Sequence, residues 1–514
     1  MSDSTIHSTV AELVKSFANA TPDRLESEYR RLVGGLWNGG AATELARPGT
    51  PVLVEHLDLV DTDRQGYLAI LLGLLAETGD ADVFAAAHAG LGRYLDLVGA
   101  GAKGEPLTLA FLYLLSHFPA DREAVLAAVA PLNLDADDQT RLERALAKLD
   151  PANPDLGRVW PSPSVWVLDE NEKDFTAGWI KGLTAEQIES NWNNDTLTVL
   201  GYTGARAYWS VANNQPASTL ATSMSPEDAI LPEPTGQSTA VFAKHVESLR
   251  CPTCHGKLEF SDNGVRCPKC ATGFAIANGI LDLSAGVRED QEADDATNDL
   301  LQKLAEMPSM GLYYEAVLRP AYLRIAGSNW GDQVSPTDED EYIASHVSPV
   351  DGPVLDLAAG AGRWTKIVAK AVGADRLLAL DMALPMLNVL RGALPEVPAV
   401  KASALNLPFS DGSLGAVNCW NALQAFPDDA RDAILEMGRV LKPGGSLTMM
   451  TFKWSDDKVA RHFQECQYFP SRPEGHLLFE LDELHAWFAE AGLSIVDESS
   501  GEGTFVFLTA ERQG

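Results

Sequence analysis

Cysteine is scarce in this chain, six residues in 514, and four of the six fall in two Cys-x-x-Cys pairs. That leaves too few thiols for a disulfide scaffold and fits a reducing compartment. Basic residues are scarce as well: 39 Lys and Arg stand against 72 Asp and Glu, a formal net charge of −33. Such a balance repels a polyanion and argues against nucleic acid as a partner, because phosphate contacts dominate nucleic-acid affinity. Long apolar runs are missing too. The run Tyr67–Ala76 is too short for a bilayer and is flanked by polar residues. No secretory signal is read, so the expectation is a soluble, cytoplasmic protein without membrane insertion. Its length implies about three domains.

What is present concentrates in two constellations. The first is Val354-Leu355-Asp356-Leu357-Ala358-Ala359-Gly360-Ala361-Gly362, followed by Arg376-Leu377-Leu378-Ala379-Leu380-Asp381. An apolar strand entering a Gly-x-Gly turn and a helix, then a second strand ending in a carboxylate, builds a nucleoside crevice at the carboxyl ends of parallel strands. A Gly-x-Gly turn alone says little, since glycines punctuate many such connections. Asp381 sharpens it: about twenty residues past the turn, a carboxylate accepts hydrogen bonds from ribose hydroxyls. Asp356 sharpens it differently. A carboxylate inside the loop repels a dinucleotide pyrophosphate but suits a cationic, amino-acid-like ligand. The third glycine of Gly-x-Gly-x-x-Gly is replaced by Thr365, which also disfavours nicotinamide or flavin.

Further segments follow in order: Asp381–Leu387, Ala402–Phe409, Asp411–Leu414, Ala422–Asp428 and Glu436–Gly445. Through these six segments, residues 340 to 514 resemble the class I S-adenosylmethionine-dependent methyltransferases, in particular the ubiquinone and menaquinone methyltransferase branch. The resemblance implies a Rossmann-like, seven-stranded domain over 351–514 that holds S-adenosylmethionine. It assigns cofactor contacts to Asp356, Ala358, Gly360, Gly362, Asp381, Met382, Met386, Ser403, Ala404 and Leu405. Met386 and Leu405 would sandwich the adenine, with Ser403 at its polar edge. Three positions depart from the family: Ala358 stands where a glycine is usual, a change tolerated if its φ stays negative. Ser403 replaces an acidic residue, and Gly415 stands where Asp is common.

The implied chemistry is in-line displacement, with the acceptor attacking the methyl carbon opposite the sulfonium sulfur. Acceptor-side candidates are Asn418, Trp420, Asn421 and Gln424 after the fourth strand, together with Tyr313, Tyr314 and Arg319 on a helix expected to close over the cofactor. Tyrosines there would also attract a sulfonium through cation–π contact. Gln424 and Ala425 replace histidines frequent in the family, so no general base is named and the acceptor should already be acidic or nucleophilic. The expected acceptor is a small molecule, natural products included, or a peptide. Two alternatives stay open: an rRNA or tRNA base methyltransferase using the cysteine ribbon for RNA contact, and a non-catalytic partner-binding protein on a vestigial fold.

The second constellation is Cys251-Pro252-Thr253-Cys254 and Cys267-Pro268-Lys269-Cys270, two knuckles twelve residues apart. This is zinc-ribbon spacing. Four thiolates leave no open position, so a structural Zn2+ is expected over 245–285, with Gly273–Leu283 as the ribbon's last strand and exit. Disulfides, a redox pair or an iron site are the competing readings.

Residues 1–150 read as a helical domain, a bundle or an irregular HEAT-like array. Apolar residues recur at helical spacing over Val10–Phe17, Leu25–Leu36, Tyr67–Leu75, Val83–Leu97, Leu107–Phe118, Arg122–Val129 and Gln139–Leu149. Its apolar stripes are either core or a docking surface for a protein partner or peptide. Residues 151–244, rich in Pro, Asn, Trp and Ser, read as a mixed connector and linker with some strand or short helix, and 286–350 as a helical lid or connector. The fold class is thus multidomain, α followed by α/β.

Overall fold

The computed structural model describes residues 3–154, 182–218, 239–261, 264–284, 323–324, 326–425, 427–466, 478–499 and 503–514. Tyr313, Tyr314 and Arg319 lie outside the described residues.

The N-terminal part contains α1 (Asp3–Ala18), α2 (Leu25–Leu36), α3 (Ala46–His56), α4 (Thr62–Ala76), α5 (Ala81–His88), α6 (Leu91–Gly99), α7 (Pro106–Leu115), α8 (Arg122–Val129) and α9 (Ala136–Ala145). A two-residue hairpin, β1 (Trp37–Asn38) with β2 (Ala41–Ala42), joins α2 to α3. Asp61 and Asp80 fix the starts of α4 and α5 by accepting hydrogen bonds from backbone amides of their first turns. The run expected over Val83–Leu97 breaks at Ala89–Gly90 into two helices, and α3, with Pro51 inside it, escapes periodicity altogether.

Both α4 and α7 are apolar around their whole circumference, and every residue from Gly66 to Ala76 is buried. They form the centre of the bundle. Their backbones approach at Gly73, where a Cβ would fall 2.3 Å from the Tyr113 ring. A single contiguous core runs from Val10 to Leu146 and on into later elements, so this is a bundle and not an array whose units touch only their neighbours. The apolar stripes are core; Leu59, Phe84 and Leu197 are the large apolar side chains exposed on this part among the described residues.

The connector expectation for 151–244 fails over α10 (Ala185–Asn213), a 29-residue helix that packs on α4, α7 and α9. It starts in a capping box between Thr184 and Gln187. Trp192, Val199, Tyr202, Ala207 and Val211 are buried along it, and two buried ion pairs, Arg144–Asp195 and Arg206–Asp138, tie it to α9. It belongs to the helical domain.

The ribbon has three antiparallel strands, β3 (Glu259–Ser261), β4 (Gly264–Arg266) and β5 (Gly273–Phe274). The last of these, β5, opens the Gly273–Leu283 segment expected to be the ribbon's last strand and exit, and the exit strands, β6 (Ile276–Ala277) and β7 (Ile280–Asp282), join the large sheet. The reason is packing: Ile280 buries against Leu387 and Ala399 on one face, and Leu281 joins the core containing Leu380 and Val400 on the other.

The large sheet continues with β8 (Val354–Leu357), β9 (Leu377–Asp381), β10 (Ala399–Lys401), β11 (Leu414–Trp420), β12 (Leu441–Phe452), β13 (Leu493–Ser499) and β14 (Phe505–Arg512). Its order is β13-β14-β12-β11-β8-β9-β10-β7-β6. The expected seven strands are there, with β7 added parallel to β10 and β6 antiparallel at the edge. Only β14 runs antiparallel within the seven, against both β12 and β13. Flanking helices are α11 (Pro336–His346), α12 (Thr365–Val372), α13 (Leu384–Ala393), α14 (Ala430–Val440), α15 (Lys458–Glu465) and α16 (Leu481–Glu490). Strand order reverses at β8, with β9 on one side and β11 on the other, which opens a crevice beyond their carboxyl ends.

Candidate cofactor-binding site and cysteine cluster

The loop leaving β8 coils through three left-handed residues: Ala358 at φ 55°, Gly360 at φ 55° and Gly362 at φ 93°. For the glycines this costs nothing, but Ala358 overturns the expectation of a negative φ there. A left-handed alanine costs about 1–2 kcal/mol. At Gly362 a Cβ would also crowd Leu390 at 3.0 Å, whereas at Gly360 it would meet only Met386 Sδ, at 3.8 Å. Met386, on α13, therefore faces the glycine loop.

Asp381 ends β9 and organises the turn. Its Oδ2 accepts from the Gly360 amide at 2.8 Å and its Oδ1 from the Ala383 amide at 2.8 Å. Next to it, Met382 and Leu384 are 46% and 43% exposed, an apolar surface left uncovered at the crevice mouth. On the far side, the turn after β10 carries Ser403, Ala404 and Leu405; Ser403 Oγ accepts from the Leu405 amide at 3.2 Å, leaving its hydroxyl proton free to donate.

Asp356 is buried at the heart of the site. Its Oδ2 accepts from Thr365 Oγ1 at 2.5 Å and its Oδ1 from Asn418 Nδ2 at 2.8 Å, across the β8–β11 register that sets Asn418 opposite Asp356. Thr365 enters the sequence reading only as a missing glycine; its place in the first turn of the helix after the loop is the signal for a hydroxyl that reaches back to the strand. Burial pushes the Asp356 carboxyl up to about 6, Thr365 and Asn418 oppose the shift, and the charge of Asp381 adds to it. Burial also raises Asp381, against the hydrogen bonds of the Ala383, Gly360 and Met382 amides. Among the described residues neither carboxylate forms an ion pair with Lys, Arg or His. Asp356, buried, and Asp381, half-buried, thus share one crevice with no counter-cation among the described residues.

The acceptor-side candidates divide. Asn418 is fully buried and its Oδ1 has no hydrogen-bond partner. Trp420 does not project toward the crevice mouth: it is 2% exposed, donates Nε1–H to Glu339 of α11 at 2.9 Å and packs on Tyr342, Trp364 and Phe507. Alternation along β11 puts it on the same face as Asn418, and α11, whose partner face was not legible in sequence, covers it. Asn421, left-handed at φ 55°, pairs with Gln424, which in turn accepts from Thr451 Oγ1 at 3.3 Å. Gly415 has its own cause: a Cβ there would sit 2.3 Å from the Val350 carbonyl oxygen.

In the ribbon all four cysteines are free thiols, which removes the disulfide reading. Their sulfurs lie within 4.8 Å of one another, with Cys251–Cys270 at 3.7 Å and Cys254–Cys267 at 3.4 Å. Tetrahedral zinc with bonds of about 2.3 Å separates its sulfurs by about 3.8 Å, so the set fits the ion with small relaxation. The two knuckles share one design, each followed by a left-handed residue, His255 or Ala271. The first knuckle also grips the segment after β10: Asn406 Nδ2 donates to the Pro252 carbonyl at 3.0 Å and the Arg250 amide to that of Pro408 at 2.9 Å.

A family profile described as "Methyltransferase domain" matches residues 354–445, the span that holds all six motif segments. An uncharacterised chloroplastic methyltransferase of Arabidopsis thaliana is 26% identical over 226 residues, 40% of this chain and 61% of that protein. A demethylmenaquinone methyltransferase of Corynebacterium urealyticum is 42% identical over 99 residues, 19% of this chain and 41% of that protein. The chain therefore spans less than two thirds of the length of either relative. Among solved structures, a geranyl diphosphate C-methyltransferase from Streptomyces coelicolor, in complex with S-adenosyl-L-homocysteine, matches at 16% identity over 34% of this chain and 76% of its own, with a TM-score of 0.28. The motif segments, the strand order and the family profile meet on the same residues, and residues 354–445 of this chain are a methyltransferase domain.

Proposed function

We propose that the protein is an S-adenosylmethionine-dependent methyltransferase acting on a small-molecule or peptide acceptor. The observation that carries this is the pair of carboxylates in the crevice, Asp356 buried and Asp381 half-buried, with no cation to balance them among the described residues. A ligand bearing a sulfonium and an ammonium supplies that charge, while a pyrophosphate would worsen the repulsion. When bound, it supplies a methyl group on an electron-poor sulfur.

The protein's own residues then have distinct tasks. Asp381 is held with both oxygens fixed by amides, ready to accept from ribose hydroxyls. Met382, Leu384 and Met386 offer the apolar surface an adenine would cover, with Ser403 donating at its edge and Ala404 and Leu405 beneath. Asp356, oriented by Thr365 and Asn418, faces the cationic end. Asn418, Asn421 and Gln424 bring no ionisable group to the acceptor side, so orientation and exclusion of water carry the rate and the acceptor must be nucleophilic already. An activated ring carbon of a quinol-type compound meets that condition, and demethylmenaquinone methyltransferases are among the similar proteins. The net charge of −33 weighs against RNA. Among the described residues no helix is long and apolar enough to cross a membrane. The six free thiols fit a reducing, cytoplasmic location.

The ribbon holds a structural zinc ion in this reading, with no open coordination position for chemistry. Isothermal calorimetry of the full chain with S-adenosylmethionine and S-adenosylhomocysteine tests the function. Binding of both is expected; failure of either to bind at high micromolar concentration removes the proposal.

A further inference from the structure

A second cluster of metal-ligating side chains lies outside the ribbon, where the helical domain meets α15. Glu77, at the C-terminal end of α4, accepts at Oε2 from His462 Nε2 at 2.8 Å. Cys466, at the C-terminal end of α15, places Sγ 3.7 Å from the same His462 nitrogen. The three ligand atoms lie within 4.8 Å of one another. Glu77 Oε1 is occupied separately, by Tyr113 Oη at 2.6 Å and His117 Nε2 at 2.8 Å. The cluster is nearly closed to water, with Glu77 and His462 side chains 10% and 13% exposed and His117 5%.

Three features ask for a cation here. Helices α4, α7 and α15 all end at the cluster, and each C-terminus carries about half a negative charge. The Glu77 carboxylate adds a full one, and Tyr113 and His117 hold its Oε1 so that Oε2 stays turned toward His462. Finally, His462 and Cys466 are four apart on one helix, the spacing that lets two side chains grip a single ion.

We propose that Glu77 Oε2, His462 Nε2 and Cys466 Sγ form a site for a divalent transition metal of the zinc class, with His117 and Tyr113 orienting the carboxylate through Oε1. A tetrahedral ion needs ligand atoms about 3.3–3.7 Å apart, so the sulfur–nitrogen distance already fits and the 2.8 Å hydrogen bond opens slightly. Binding displaces the Cys466 thiol proton to solvent, while the proton on His462 Nε2 moves to Nδ1 as Nε2 takes the ion, so one proton leaves for each ion. Carboxylate, imidazole and thiolate together suit zinc or cobalt better than magnesium or calcium. The ion would fasten the helical domain to the segment that follows β12.

Metal content of the purified full chain, dialysed against zinc and then buffer, tests the site. Two zinc ions per chain are expected, falling to one in Cys466→Ser and in His462→Gln, which keeps a donor for Glu77. Cys254→Ser should also fall to one but retain, with Co2+, the sulfur-to-cobalt absorption of a single thiolate, and Cys466→Ser should lose that component. A wild-type content of one that survives Cys466→Ser and His462→Gln and vanishes with Cys254→Ser overturns the proposal. A content of one lost with Cys466→Ser supports it and removes the ribbon's zinc instead. The wild-type count and cobalt spectrum decide the matter even where a variant fails to fold.

Discussion

Replacing Asp356 by asparagine separates what the buried carboxylate costs the fold from what it gives the ligand. The carboxyl rises from 3.8 to about 6 on folding, chiefly by burial, with Thr365 and Asn418 opposing. An acid whose pKa is raised by folding favours the folded state while protonated, so this contribution is complete below about pH 4 and lost as pH climbs through 6. A tenfold change in proton affinity is worth about 1.4 kcal/mol, so an ionised Asp356 destabilises the ligand-free fold at pH 8 by about 3 kcal/mol. Asparagine fits the same contacts: its oxygen accepts from Asn418 Nδ2, and its amide donates to Thr365 Oγ1.

Urea unfolding of the ligand-free protein at pH 8 should therefore show Asp356→Asn more stable than wild type by about 2–3 kcal/mol, a gain that vanishes near pH 4. Ligand affinity should move the other way. In wild type, affinity for S-adenosylhomocysteine should fall about tenfold per pH unit below pH 6, because the proton competes with the cationic end of the ligand. In Asp356→Asn it should be weak and flat through the same window. A variant less stable than wild type at pH 8, or a wild-type affinity unchanged from pH 7 to pH 5, would refute the reasoning.

Asp381→Ala removes a carboxylate that holds the Gly360 and Ala383 amides; lost charged hydrogen bonds of about 1.5–3 kcal/mol each should weaken S-adenosylhomocysteine at least tenfold by calorimetry, and unchanged affinity would place the sugar elsewhere. Ala358→Gly should stabilise the fold by about 0.5–1 kcal/mol in urea, the left-handed penalty less glycine's entropy, while Ala358→Val should destabilise it by about 1 kcal/mol or more. Gly204→Val should loosen α10 from α15, since even a Cβ there meets the Phe463 ring at 2.3 Å; faster limited proteolysis between the domains with unchanged ligand affinity is the expected pair of results.

How much of this was readable in sequence follows from how local each feature is. Asp356, Gly360, Gly362 and Asp381 announce themselves because a strand, a turn, a helix and a strand suffice to bring them together. The four cysteines do so because each knuckle closes within four residues. The φ of Ala358 was not legible, since its sign depends on how the loop returns beneath β9, where the Ala359 amide bonds the Leu380 carbonyl. Trp420 was misplaced because alternation along a strand names a face but not what covers it. Helix α10 hid behind its composition: apolar residues lie around its whole girth, so a stretch rich in Asn, Thr and Trp shows no single stripe.

The helical domain's placement was the least legible feature, and it matters most for the acceptor. One attachment point is α15, in the excursion that leaves the sheet at Lys453 and returns to pair at Phe479. That excursion rises from the carboxyl end of β12, beside the end of β11 that carries Asn418 and Asn421. Val459 and Phe463 of α15 belong to the helical core itself, and Gly201 and Gly204 of α10 let the two helices touch. No pattern within either segment signals this, because Glu77 and His462 meet across 385 residues of chain. The excursion that leaves the sheet at the crevice end is thus anchored by a contact between segments distant in sequence. Differences in acceptor among proteins sharing the same glycine loop are therefore to be sought in the excursion after β12 and the helices it carries.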